Sequence, residues 1–132
     1  MSYRVERPHP RPAEKEDVVE FLLILSEDVD LVATDEDRAG LAQRTGEYAM
    51  RLVGEGRLKG GGRLRPAEEA RRVRTRDDRT RVLDGPFVET KEVIAGWMVI
   101  EAESMDEALK LAAECPNAAL GKVEVREVVP GS

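Results

Sequence analysis

Residues 95–107 read Ala95-Gly96-Trp97-Met98-Val99-Ile100-Glu101-Ala102-Glu103-Ser104-Met105-Asp106-Glu107, and two kinds of secondary structure meet inside them. The first eight positions are rich in apolar, β-branched and aromatic residues and predict a strand. Trp97 is expected in the core or at a dimer interface. Ser104 and Glu107 then stand three apart as a capping box, the serine hydroxyl taking the Glu107 amide while the glutamate reaches back. The helix they open is expected to bury Met105, Ala108, Leu109 and Ala112. It should stop before Pro116, because the residue preceding a proline is pushed out of helical geometry. Further on, Lys122-Val123-Glu124-Val125-Arg126-Glu127-Val128 alternates for most of its length with the two-residue period of a half-buried strand.

The same order occurs upstream. Val18-Val19-Glu20-Phe21-Leu22-Leu23-Ile24-Leu25 is a short, nearly continuous apolar run whose length suits a central strand. Residues 26–33 follow as an acidic connection. Thr34 offers an N-cap, with Asp35, Glu36 and Asp37 in a first turn where the helix dipole favours negative charge. Leu41, Thr45, Tyr48, Ala49, Leu52 and Val53 then mark one buried face. Gly54 and Gly56 end this helix, and Gly40 and Gly46 each weaken it by roughly 1 kcal/mol relative to alanine. Residues 57–65 contain Gly60-Gly61-Gly62 and read as a short strand or bulged edge; the glycine run lacks the Lys-Ser and helix start of a phosphate-binding loop. Residues 72–76 and 79–82 alternate on either side of Asp77-Asp78, which predicts a hairpin with a two-residue loop. In it Arg76 faces Arg79, Thr75 faces Thr80, Arg74 faces Arg81 and Val73 faces Val82, so one face is neutral and the other is a stack of arginines. Strand-helix-strands followed by strand-helix-strand is an α+β plan, with two helices on one sheet face. A ferredoxin-like (split βαβ) domain with an extra β-hairpin is the simplest topology that satisfies it.

Composition narrows the function classes. A chain of 132 residues fits one domain. Residues 1–17 carry Pro8, Pro10 and Pro12 and read as a proline-rich N-terminal arm, leaving residues 18–129 as the folded domain. No run approaches the roughly 20 apolar residues of a spanning helix, and the arm lacks the apolar core of a secretory signal. Cys115 is the single cysteine; no intramolecular disulfide can form, and a cytoplasmic location with a buried, inert thiol is expected. The absence of a Cys/His cluster predicts neither a metal nor a cofactor. The net charge of -6 argues against nucleic acid as a partner. Residues 57–83 oppose that balance, with ten Lys or Arg against four acids. Such a segment is either a solvated hairpin face that blunts a sheet edge or a docking surface for an acidic protein partner or the acidic loop of another subunit.

Asp84-Gly85-Pro86-Phe87-Val88-Glu89-Thr90-Lys91-Glu92 places a carboxylate at the end of a strand pattern, then a turn-forming Gly-Pro, then two apolar residues ahead of a polar run. Together with Gly61-Gly62-Arg63-Leu64-Arg65-Pro66, Cys115-Pro116 and Val123-Glu124-Val125-Arg126, it resembles the DGPF branch of the YCII-related proteins over roughly residues 21–128. The resemblance implies a ferredoxin-like domain of the dimeric α/β barrel type that pairs sheet to sheet as a homodimer. For the wider group it also implies a His-Asp pair in a cleft, and Asp84 would be the counterpart of that acid. Where such a histidine is expected this chain has Ala119-Leu120-Gly121, and its one histidine, His9, lies in the arm.

Asp84 is thus read either as a turn residue accepting backbone hydrogen bonds or as the catalytic acid or base. Lys91, Glu89, Thr90 and Arg63 are the ligand-binding candidates for a small anionic molecule. Three functions stay open. The first is a small-molecule-binding or regulatory domain with Asp84 at a cleft. The second is a cofactor-independent hydrolase or lyase using Asp84. The third is a protein-interaction module linked to transcription regulation through the arginine hairpin. The residues alone do not decide whether the chain is an enzyme.

Overall fold

The computed structural model describes residues 18–85 and 91–131. Its elements run β1 (Val19–Asp28), α1 (Asp35–Gly54), β2 (Leu58–Arg63), a 3-10 turn (Ala67–Glu69), β3 (Arg71–Arg76) and β4 (Arg79–Asp84). They continue with β5 (Glu92–Ala102), α2 (Met105–Ala113), α3 (Asn117–Leu120) and β6 (Gly121–Glu127). Four strands form an antiparallel sheet in the order β2-β5-β1-β6, while β3 and β4 make a separate two-stranded sheet. With the hairpin set aside, this is the ferredoxin-like order, and the inner place of β1 agrees with its continuous apolar sequence.

One face of the large sheet holds the core. Phe21, Leu23 and Leu25 of β1 and Met98 and Ile100 of β5 pack against Tyr48 and Leu52 of α1 and Ala108, Leu111 and Ala112 of α2. Each large apolar side chain buried here contributes roughly 1.5–3 kcal/mol. The helices are also tied to each other: the Tyr48 hydroxyl donates to the Leu111 carbonyl at 2.6 Å, and Arg51 pairs with Glu114. No described helix covers the opposite face, where Ile24, Trp97 and Glu124 share one cross-strand row. Trp97 lies there, 39% exposed, and is not a core residue.

Several local expectations need adjustment. Ser26, Glu27 and Asp28 extend β1 instead of opening a loop, because β5 pairs with all three and β6 with Ser26 and Glu27. Helix α2 buries Ala108, Leu111 and Ala112, whereas Met105 and Leu109 are exposed. Both stripes have helical spacing, and the docked one continues into buried Cys115. The Ser104 hydroxyl accepts the Glu107 amide as expected, but the Glu107 carboxylate takes the Glu103 amide and also faces buried Arg57. The reciprocal box occurs at α1, between Thr34 and Asp37. The short helix α3 has no counterpart in the sequence reading. It seats buried Asn117, which accepts from Thr45 Oγ1 at 3.0 Å and donates to the Ser26 carbonyl at 3.3 Å.

The hairpin has the expected register at every pair, from Val73 opposite Val82 to Arg76 opposite Arg79. Asp77 and Asp78 both have positive φ, 52° and 62°, the backbone of a type I′ turn, whose twist matches that of the strands it joins.

Candidate functional site

Two cavities meet at Glu27, Arg63 and Ala95. The inner one, about 240 Å³, lies between α1 and the β2–β5 edge. Leu25, Leu41, Ala49 and Met98 give it apolar walls, and Thr45 and Glu27 bring polar groups to its lining. The outer one, about 830 Å³, adds Arg38, Arg65 and Glu68 around the same mouth.

Local sequence builds this space. A Cβ on Gly61 would come within 2.7 Å of the Trp97 carbonyl, and one on Gly62 would stand 3.4 Å from the indole nitrogen, so the glycine run lets β2 lie close against β5 and its tryptophan. On α1, Gly46 lines the cavity where a side chain would have projected. The glycines of the helix and the edge strand thereby leave this space open.

Glu27 is the chemically distinctive group. It is half-buried at the end of β1, and no described residue forms a hydrogen bond or ion pair with its carboxylate. Burial pushes its pKa up, while the nearby positive charges of Arg63 and Arg38 hold the rise back. A carboxyl poised in this way accepts a proton more readily than an ordinary glutamate, and the two guanidiniums stabilise negative charge beside it.

Of the described site candidates singled out in the sequence, Arg63 alone falls here, lining both of these cavities. Lys91 is exposed, pairs with Asp30 at 3.1 Å and lines a third, broad cleft of about 970 Å³ on the helix-free side of the sheet. Asp84 ends β4 with its side chain 83% exposed and paired to Arg71. It lines none of the three cavities. Its neighbour Gly85 donates its backbone N–H to Ala70, a residue on the rim of the broad cleft. Glu89 and Thr90 lie outside the described residues, as does His9. Burial also pushes the Cys115 thiol up, which favours the protonated thiol over the nucleophilic thiolate. Among the described residues no group of three or more His, Cys, Asp or Glu could hold a metal ion, and no described helix is long and apolar enough to cross a membrane.

Glu27 was missed because it sits in an acidic run that reads as a connection. The available signal was two-residue spacing: Leu23, Leu25 and Glu27 continue one alternation, and an acid at the end of such a row marks a place where the core opens to solvent.

The family model of the YCII-related domain matches residues 20–132. An uncharacterised protein of Rhizobium meliloti (strain 1021) is 41% identical over 78 residues, covering 58% of this chain; the match spans 63% of that protein's length. Among solved structures, 5-chloro-2-hydroxyhydroquinone dehydrochlorinase (TftG) from Burkholderia phenoliruptrix AC1100, in complex with 2,5-dihydroxybenzoquinone, superposes with a TM-score of 0.53 at 17% identity. That match covers 85% of this chain and 95% of the other. At this identity the likeness speaks for the shared dimeric α/β barrel type of fold.

Proposed function

The chain belongs to the YCII-related family, and from that premise we propose that it binds a small cyclic organic acid in the cavity between α1 and the β2–β5 edge, with Glu27 as the proton-accepting group. The observation that carries this reading is the half-buried, raised-pKa Glu27 carboxyl at the mouth of an apolar cavity, faced by Arg63 and Arg38. Apolar walls with a few convergent polar groups are the usual make-up of a ligand site. At about 240 Å³ the space lies below the roughly 300–1,000 Å³ of drug-sized sites, which favours a guest of single-ring size. The bound molecule of the TftG structure, 2,5-dihydroxybenzoquinone, is of that size and chemistry, and is a reasonable probe. In this arrangement Glu27 accepts a hydrogen bond or proton from a ring hydroxyl, and Arg63 and Arg38 hold the resulting negative charge.

A second reading retains Asp84 as the acid or base of a cofactor-independent hydrolase or lyase of the DGPF type, with Lys91 contacting the ligand. One observation favours it: Gly85 is hydrogen-bonded to the rim of the broad cleft that Lys91 lines.

A thermal-shift titration with 2,5-dihydroxybenzoquinone separates the two. Ligand at a hundred times its Kd adds about 2.7 kcal/mol of stability. The cavity reading expects the shift to be lost in Glu27→Gln and kept in Asp84→Asn. The opposite pattern would transfer the site to Asp84.

A further inference from the structure

Hairpin β3–β4 carries an electrostatic arrangement that its own fold does not resolve. Arg74 stands directly across from Arg81, and Arg76 from Arg79, and like charges so placed repel. The four share one face of the ribbon, since opposite residues and alternate residues point the same way. No described carboxylate forms an ion pair with any of them. By contrast, Arg38, Arg51, Lys59, Arg65, Arg71 and Lys122 each have an acidic partner. In a chain of net charge -6, these four arginines form a ladder of positive charge on one surface.

Two further features define what would fit it. The ribbon has only two strands, so both of its long edges lack a described strand neighbour, and a two-stranded ribbon alone is marginal in water. Its other face is apolar yet open, with Val73 and Val82 at 69% and 63% exposure beside paired Thr75 and Thr80. A third strand laid along either edge would face arginines on one side and valines and threonines on the other. Its alternate side chains would be about 6.6–6.8 Å apart, the spacing of the arginine rungs.

We propose that the β3–β4 ribbon binds an extended peptide segment of alternating acidic and β-branched apolar residues, which adds as a third strand. The backbone edge supplies hydrogen bonds, and the arginine face selects for the acidic positions. A nucleic-acid strand satisfies the charge but neither the ladder of backbone groups nor the valine face, and the ribbon carries no aromatic side chain for base stacking.

The test is fluorescence anisotropy with a labelled peptide of about eight alternating Glu and Val residues. A peptide of the same composition with its glutamates in one block and a single-stranded DNA of similar length serve as comparisons. Binding should favour the alternating peptide, weaken with salt and fall at least tenfold in the double variant Arg74→Gln, Arg81→Gln, whose melting temperature should stay within a few degrees of the parent. Equal binding of the block peptide, tighter binding of the DNA, or no peptide binding would overturn the proposal. So would peptide binding that survives in the double variant. If the variant alters only self-association in sedimentation, the occupant is a second copy of this chain and the proposal is wrong. Should Arg74→Gln, Arg81→Gln lower the melting temperature, Arg76→Gln, Arg79→Gln gives the same reading beside the turn.

Discussion

Gly121 stands where β6 begins against β1, paired with Glu27. A Cβ at this position would run into the Ser26 carbonyl oxygen and lie 2.7 Å from the carbonyl carbon and 2.9 Å from the Glu27 Cα. That close approach by itself requires the glycine, since the neighbour is backbone and not the end of a flexible side chain. Gly121→Ala must push the two strands apart. We expect it to cost about 1–3 kcal/mol, in the range of overpacked sites, seen as a lower urea midpoint at unchanged slope; an unmoved midpoint would show that β6 can shift freely. Glu27 opposite it has the reverse character, a group costly to the fold. Its folded pKa lies above the unfolded value. The stability it contributes is therefore fully present below the usual carboxylate range and is lost as pH rises through the raised pKa. Neither role was legible in the residue names. In sequence Gly121 belongs to a stretch that stands in the place of a histidine and Glu27 to an acidic connection, and burial by neighbouring strands is a property of distant sequence.

At the scale of elements, legibility follows how local the determinants are. The β3–β4 register was readable because a two-residue loop leaves the alternation a single alignment, and the outcome agrees at every pair. The start of α1 was readable because its cap is local: Thr34 Oγ1 accepts from the Asp37 amide at 2.9 Å. The docked face of α2 was not, since two stripes compete and only the tertiary surface chooses Leu111 over Leu109. Helix α3 was not either, being four residues long and held by Asn117 contacts to β1 and α1. Helix α1 also retains a separable weakness. Gly40 is exposed on it, and a Cβ there would meet nothing within 4 Å. Gly40→Ala should raise stability by roughly 0.5–1 kcal/mol, the helix-propensity difference, measured as a higher urea midpoint. A loss would mean that the surface around Gly40 is occupied.

Taken as a whole molecule, the chain divides its chemistry between two places. The arginines gather on a ribbon apart from the main sheet, while the cavity draws on both βαβ halves, with β1, α1 and β2 from the first and β5 from the second. A guest seated there touches both halves at once, so binding should stabilise the entire domain. The environment that sets the Glu27 proton is likewise assembled from three regions, with Arg38 coming from α1, Arg63 from β2, and burial from the sheet. For that reason the Glu27 carboxyl reports on the central claim better than any bulk property. The direct measurement is a 13C NMR titration of that carboxyl, assigned with Glu27→Gln, with and without 2,5-dihydroxybenzoquinone. The cavity account predicts an apparent pKa above the usual carboxylate range in the free protein and a clear chemical-shift change at Glu27 when the probe is added. A Glu27 that titrates like an exposed glutamate and does not respond to bound probe would contradict it.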